Sequence, residues 1–353
     1  MILFLSKYPY TEEQFRDGFF QRVVDIDTYF ENDERIYLDV SLRKNMRKKA
    51  RETQNSMKKV YTCNIFLHFF FIIKLFSNAN FVYIHSLHNT LYSFLFIKWI
   101  KNKYVLDLHG VVPEELEFQG MTFKAKAFNW IEKLIYSKLY VTVAVTNRLA
   151  IHYKSKYPNA KAKYIVYAIL PNNIETSSET DLNIKSNKLN VIYSGNTQAW
   201  QNIDLMLKTI VENQSNHIEY TILTGELDRM NELLTEYKLR GNSNINVQSV
   251  QPSELSAFYE KANYGFILRD DITVNNVACP TKLIEYLNYG IIPIVLSDKI
   301  GDFKELGYEY ISVKDFNLNL PKIKSEVNQK LVKNLKISND INLKIKINDL
   351  LYY

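Results

Sequence analysis

The sequence predicts an α/β protein built from two doubly wound parallel sheets, and three observations carry that expectation. Short apolar runs of strand type alternate with longer stretches of helical periodicity through both halves of the chain. The chain has 353 residues, which is two domains' worth at roughly 150 residues each. Its 46% apolar content, with 25 Tyr and 20 Phe, supplies enough apolar mass to offset chain entropy, which excludes a disordered, collagenous or low-complexity protein.

The opening MILFLS (1–6) reads as a buried first strand, because its five-residue apolar run has no basic segment ahead of it and is too short for a signal peptide. Further strands are expected at 35–40, 80–85, 103–108, 139–145 and 164–168. Helices are expected between them at about 14–30, 42–58, 62–76, 87–101, 122–137 and 147–155. The most apolar window, Ile65 to Phe76, spans 12 residues and is interrupted by His68 and Lys74. A membrane span needs about 20, so the window is expected to cover a sheet face, with a membrane-surface helix as the alternative. In the second half strands are expected at 189–194, 218–223, 245–248, 264–268, 292–296 and 309–312. The helices of that half fall at about 203–213, 227–240, 253–262, 281–289 and 323–335.

Pro171-Asn172-Asn173 opens a polar stretch without periodicity, which reads as a linker. The expected division is therefore 1–172, 173–335 and a closing segment, 336–353, that can pack back onto the first domain. The chain contains no GxGxxG and no GxxxxGK[ST], so neither a dinucleotide dehydrogenase nor a P-loop nucleotidase is supported. Cys63 and Cys279 are far apart and belong to no CxxC or Cys/His cluster, which excludes a disulfide framework and disfavours a zinc site.

The stretch from Gly265 to Asp298 carries the most specific chemistry. Pro280 suits the first turn of a helix and Gly290 its end, giving a helix of about 10 residues between two buried strands. Thr281 and Lys282 lie in the first turn, where free N–H groups and the helix dipole favour an anion. Arg269 ends the preceding strand, and Glu285 stands one turn beyond Lys282. Together they suit a nucleoside diphosphate, with cations for the phosphates and a carboxylate for the ribose hydroxyls. Each has a plainer alternative: Arg269 pairing with Asp270 or Asp271, a solvated Lys282, an ordinary helical Glu285.

The run PTKLIEYLNYGIIPIV resembles the signature of family 4 glycosyltransferases of the GT-B fold, in the branch typical of bacterial capsule and exopolysaccharide synthesis. SGNTQAWQNIDLMLKTI, SELSAFYEKANYGFILR, LDLHGVVPEE and ILPNNI match the same family in the expected places, so the resemblance covers nearly the whole chain. It implies two Rossmann-like domains facing a central cleft, with Glu285 on the ribose, backbone near Gly195 and Asn196 at the diphosphate, and His109 against the transferred sugar as the candidate catalytic residue. Three positions depart from the family pattern. Val277 stands where a second glutamate is common, Asn196 and Gln201 stand where Arg and Lys often clamp the diphosphate, and the glycine pair of the first loop is reduced to Gly18. Arg269 and Lys282 are expected to replace the missing clamp.

His109 closes a strand and precedes Gly110, a position from which a neutral imidazole can meet a sugar hydroxyl. Glu114 and Glu115, in the loop beyond, are acceptor-side candidates, with a solvated loop as the alternative. His85 and His88 lie three apart without an evident third ligand, so no metal is expected.

The net charge of +6 is concentrated in one place. Residues 43–59 carry eight basic residues, Arg43, Lys44, Arg47, Lys48, Lys49, Arg51, Lys58 and Lys59, against a single Glu, so this segment is +7 and the remainder −1. Read as a helix with a thin apolar stripe of Leu42, Met46 and Ala50, it is a candidate membrane-docking patch, with a solvated face as the alternative; a near-neutral remainder argues against nucleic acid. The expected activity is transfer of a sugar from a nucleotide-sugar donor, such as a UDP- or GDP-sugar, to a lipid-linked or oligosaccharide acceptor in surface polysaccharide synthesis. The resemblance implies a retaining, metal-independent enzyme without a cofactor; the cysteine usage points to the cytoplasm, and the basic segment to a peripheral position on the inner membrane face. A sugar-nucleotide epimerase or hydrolase, and a catalytically silent partner subunit, remain the alternatives.

Overall fold

A computed structural model describes all residues except 48, 53–55, 172–186, 341 and 353, and omits the side chains of residues 13, 16, 49 and 52. The chain forms two compact units, Met1–Ala168 with Asp340–Tyr353, and Ile169–Asn339. The linker expected from Asn172 onward, and with it the 172/173 boundary, lies outside the described residues.

The first unit holds strands β1 (Ile2–Leu5), β2 (Arg35–Ser41), β3 (Lys49–Glu52), β4 (Lys58–Asn64), β5 (Val82–His85), β6 (Tyr104–Leu108), β7 (Leu139–Ala144) and β8 (Lys163–Val166). They form one sheet in the order β3-β4-β2-β1-β5-β6-β7-β8, parallel throughout except for the antiparallel β3–β4 pair. The second unit holds β9 (Leu189–Ser194), β10 (Ile218–Leu223), β11 (Ile245–Gln248), β12 (Tyr264–Ile267), β13 (Ile292–Val295) and β14 (Ile311–Ser312). Its order is β11-β10-β9-β12-β13-β14, all parallel. The strand order reverses between β1 and β5 in one sheet and between β9 and β12 in the other, and such sheets bind ligands beyond the carboxyl ends at that reversal.

Alternation along the strands assigns the cores. In β9, Val191 and Tyr193 face one apolar cluster, and Ile192 faces the other, which includes Leu283, Ile284 and Tyr286 of helix Thr281–Asn288. In the first unit Phe4, Tyr37, Tyr83, Val105 and Val143 form the core of one face. Helix Leu343–Tyr352 closes that face with Leu343, Ile347 and Leu351, spaced four apart on one side and all buried.

The basic segment is not the helix expected at 42–58. It is an exposed bend from Leu42 followed by β3 and the start of β4, and helix formation waits until Phe69–Asn78. Lys, Arg, Ala and Glu favour helix locally, but Val60, Tyr61 and Thr62 suit a pleated surface, and β4 pairs with β2 along seven residues from Arg35↔Lys58 to Ser41↔Asn64. That register sets two cations side by side. The buried carboxylate of Asp27 reconciles them, taking Arg35 Nε at 2.6 Å, Lys58 Nζ at 2.9 Å and the Tyr37 hydroxyl at 2.9 Å. Lys58 is therefore a core residue and leaves the docking patch. Arg51 donates to the Tyr8 carbonyl oxygen at 3.1 Å and lies over the Tyr10 ring. Lys49 lies in β3 and Lys48 falls outside the described residues, which leaves Arg43, Lys44, Arg47 and Lys59 as the exposed cations of that set among the described side chains.

Candidate active site

Helix Thr281–Asn288 presents its N-terminus without a side-chain cap, so the first-turn N–H groups lack a side-chain acceptor. Pro280 is its N-cap rather than a first-turn residue, and the helix is eight residues long, shorter than the ten expected. It ends because Gly290 takes φ +67, with Gly290 N–H bonded to the Leu287 carbonyl at 3.0 Å and Ile291 N–H to that of Tyr286 at 2.9 Å, a Schellman closure.

Gly195 and Arg269 follow the carboxyl ends of β9 and β12, the two strands at the order reversal. Lys282 reaches over this edge from the helix. Its Nζ stands 4.1 Å from the centroid of the Tyr193 ring and donates to Gln201 Oε1 at 3.0 Å. Gly195 has φ +148, and a Cβ on it would meet Lys282 Nζ at 2.7 Å. Its lack of a side chain is what allows the ammonium to cross. Gly195→Ala is expected to displace Lys282 and lower affinity for any anionic ligand there by about tenfold or more, the loss of one charge-assisted contact; unchanged affinity by calorimetry would contradict the placement.

Among the described residues Lys282 and Arg269 make no ion pair; Arg269 makes one long bond, Nη1 to Asn275 Oδ1 at 3.4 Å. Its neighbours are engaged elsewhere, Asp271 with Lys299 at 2.6 Å and Asp270 with the Asn202 carboxamide at 3.0 Å. Burial, with the charge of Arg269 beside it, pushes the Lys282 ammonium down to about 7. Burial likewise lowers the Arg269 guanidinium, to about 10. Glu285 is raised by burial and accepts the Tyr259 hydroxyl on Oε2 at 2.9 Å. Tyr259 continues to Ser194 Oγ at 2.8 Å, and the Ser194 N–H donates to the Tyr286 hydroxyl at 2.9 Å. The pair of cations, the free helix turn and the tethered carboxylate thus surround one strand edge.

The remaining candidates of this unit divide. Asn196 accepts the Tyr193 hydroxyl on its backbone oxygen while its carboxamide donates to Gln198 at 2.8 Å. Val277 is buried and apolar, so no carboxylate occupies that position. Gln201, noted in the sequence only as a departure from the clamp, joins the site with Tyr193 and Tyr259, which no local pattern marks. Gln201 is 81 positions from the lysine it holds.

In the first unit His109 follows β6, with Nε2 2.9 Å from Asp107 Oδ2. Asp107 is fully buried, and Arg22 grips it with Nε 3.1 Å and 3.0 Å from the two oxygens and Nη2 2.7 Å from Oδ1. Burial works to raise the Asp107 carboxyl, but Arg22 and His109 outweigh it and hold the group well below the usual carboxylate range. His85, also fully buried, has Nδ1 3.4 Å from the same Asp107 oxygen. Ligand atoms of His85, Asp107 and His109 lie within 4.8 Å of one another. Arg22 already lies on both oxygens of Asp107, so within this trio the carboxylate's ion pair is with the arginine. His88 packs against Phe128 and joins no cluster.

The acceptor-side candidates are engaged internally. Glu114 bonds Lys156 Nζ at 2.9 Å and is lowered to about 2: burial opposes the shift, and His152 and Lys156 outweigh it. Glu115 accepts the Val111 N–H at 3.1 Å and is raised, chiefly by burial. Gly18 is exposed at the start of helix Gly18–Thr28, whose first N–H groups Asp17 already caps. Asp107 and Arg22 escaped the sequence reading; an acidic residue inside the apolar strand YVLDL was the available signal for the first, and none pointed to the second, 85 positions away.

No protein-family model matches the sequence, and no curated protein matches it. Solved structures do. The lipopolysaccharide outer core galactosyltransferase WaaB in its apo form aligns with TM-score 0.67 at 11% identity, covering 99% of both chains. The α,α-trehalose 6-phosphate synthase from Burkholderia multivorans aligns with TM-score 0.66 at 10% identity over 99% of this chain and 98% of that one. Alr3699/HepE from Anabaena, in complex with UDP and glucose, aligns with TM-score 0.58 at 11% identity over 99% and 91%. At such identities the likeness is one of architecture: the two parallel-sheet units carry the GT-B fold of these glycosyltransferases.

Proposed function

We propose that the protein is a glycosyltransferase that takes its sugar from a nucleoside-diphosphate donor. The observation that carries this reading is the pair of cations that form no ion pair among the described residues, Arg269 and Lys282, gathered with an uncapped helix N-terminus at the carboxyl edge of β9 and β12. An ion pair left incomplete in a low-dielectric site is costly unless a ligand completes it. A diphosphate does so, and Glu285, one turn along the helix with a single oxygen engaged, is left to accept ribose hydroxyls. Lys282 lands on the carboxamide of Gln201, the position where the family resemblance expects a lysine, so the charge is supplied from the helix instead of the loop. The solved HepE complex with UDP favours a uridine nucleotide.

In this reading the departing nucleoside diphosphate gains negative charge as the glycosidic bond to it breaks, and Arg269, Lys282 and the helix N–H groups stabilise that charge in place. Chemistry of this kind needs no protein nucleophile, in keeping with a retaining enzyme without a metal, and His109 is assigned to the transferred sugar. The finer reading, a capsule or exopolysaccharide enzyme on the inner membrane face, rests on the sequence resemblance for its pathway and on the exposed surface for its membrane docking. Asn64 ties the bend of Leu42 and Lys44 to the end of β4 at 2.9 Å and 3.1 Å and accepts the Phe66 N–H on its Oδ1, which brings the bend to the segment carrying the exposed Phe66. Cations near an anionic bilayer contribute about 1 kcal/mol each. Binding to anionic vesicles is expected to fall with salt and to be lost when Arg43, Lys44 and Arg47 are neutralised; salt-independent partition would refute this electrostatic docking.

A thermal-shift panel of nucleoside diphosphates and nucleotide sugars tests the donor reading. A ligand at 100 times its Kd stabilises the native state by about 2.7 kcal/mol. The expected result is stabilisation by a nucleoside diphosphate that is lost in Glu285→Ala; no response to any would overturn the reading. Turnover of the donor without an acceptor would favour a hydrolase or epimerase, and binding without any turnover a silent subunit.

A further inference from the structure

We propose that Asp107, locked by Arg22, is a positioning residue that sets the tautomer of His109, so that Nε2 carries the proton and Nδ1 is presented as an acceptor to a sugar hydroxyl. The inference rests on the glycosyltransferase reading for its substrate and on geometry for everything else. Arg22 and Asp107 are 2% and 0% exposed, and the guanidinium contacts both carboxylate oxygens. Nη1 of Arg22 is spent on the Tyr167 carbonyl at 3.1 Å, so the guanidinium is anchored from two sides. A carboxylate so held is ionised, and an ionised carboxylate only accepts hydrogen bonds. The 2.9 Å contact from His109 Nε2 to Asp107 Oδ2 must therefore have its proton on Nε2. In the neutral imidazole, Nδ1 is then bare.

The groups facing this pair leave that assignment intact. His85 shares the Asp107 oxygen at 3.4 Å, and burial lowers it, so it is neutral. His88 is lowered for the same reason. Phe19 packs on the His109 ring at 5.3 Å and restricts its rotation. His109 retains 15% of its side-chain surface, enough to reach a ligand, while Asp107 has none. Asp107 therefore acts only through the histidine.

Nitrogen-detected NMR of the full-length wild-type protein, with His109 assigned from His109→Gln, reads the tautomer directly. The expected spectrum shows a protonated Nε2 and a bare Nδ1; a protonated Nδ1 in the neutral ring overturns the proposal. In Asp107→Asn the Arg22 guanidinium keeps the carboxamide oxygen, the NH₂ turns to His109, and the ring tautomer inverts. Turnover is expected to fall about 100-fold, within the usual range for a mis-set acid–base group, with the KM for the donor little changed and activity partly restored in Asp107→Glu. Unchanged kcat in a folded Asp107→Asn protein overturns the positioning role. Should that variant not fold, the wild-type spectrum still decides the tautomer. Donor binding, read separately by thermal shift, keeps the two claims apart: its absence sinks the glycosyltransferase reading and leaves the tautomer assignment standing.

Discussion

Lys282→Ala is expected to weaken binding of a nucleoside diphosphate by about 10- to 100-fold, because a hydrogen bond to a charged group contributes about 1.5–3 kcal/mol. Arg269→Ala should do the same, and the two losses should not add, since the charge of Arg269 depresses that of Lys282 beside it. The wild-type protein should also show a pH signature. Lys282 in the unliganded protein titrates near 7, well below an ordinary lysine, since burial and Arg269 disfavour its charge. A bound diphosphate favours the charged form, so binding takes up a proton once the pH exceeds 7. Affinity is then expected to fall by up to tenfold per pH unit above 7, until the pH reaches the raised value of the liganded lysine. Titration calorimetry in buffers of different ionisation enthalpy measures that uptake. Affinity flat between pH 7 and 9, in a protein that still needs Lys282, would contradict a neutral resting lysine.

Asp27→Ala is expected to cost the first unit about 3–5 kcal/mol, the usual penalty for leaving buried charge unpaired. The substitution removes the carboxylate shared by two buried cations, Arg35 at 1% exposure and Lys58 at 9%, and also the acceptor of the Tyr37 hydroxyl. Against a typical total of 5–15 kcal/mol, that approaches unfolding. Burial works to raise the Asp27 carboxyl, but Arg35 and Lys58 outweigh it and lower it below its ordinary value of 3.8. A depressed carboxyl stabilises the fold above its unfolded value and loses that contribution as the pH falls through its folded value. Wild-type stability should therefore decline below about pH 4, and the variant should lack that part of the decline. Urea denaturation at pH 7 and pH 3 reads both effects. A loss under 1 kcal/mol at pH 7 would show that the trio is not the buried network described.

The strands of both sheets were legible wherever an apolar run stood alone, as in MILFLS, YVLDL and LNVIYS, because alternation and burial are local properties of such runs. The helix bearing Lys282 and Glu285 was legible from Pro280 and Gly290, and only its cap and length needed correction. The basic segment was misread because its composition favours helix, whereas pairing with β2 and a carboxylate from a distant helix decide the outcome. Lys58 counted as surface charge in the sequence and is core in the structure. Its burial depends on a partner 31 positions away.

The chain's periodicity and turn residues by themselves determined an α/β protein with two parallel sheets, and Pro280 and Gly290 bracketed the helix that carries Lys282 and Glu285. The tertiary structure alone decided which charges are neutralised. Among the described residues it leaves Arg269 and Lys282 outside any ion pair while matching Arg22 to Asp107 and Lys58 to Asp27. Sequence spacing reports contacts within a helix turn or a strand repeat. The charge state of a site depends on side chains brought together across tens of residues, where burial makes each pairing, or its absence, energetically decisive.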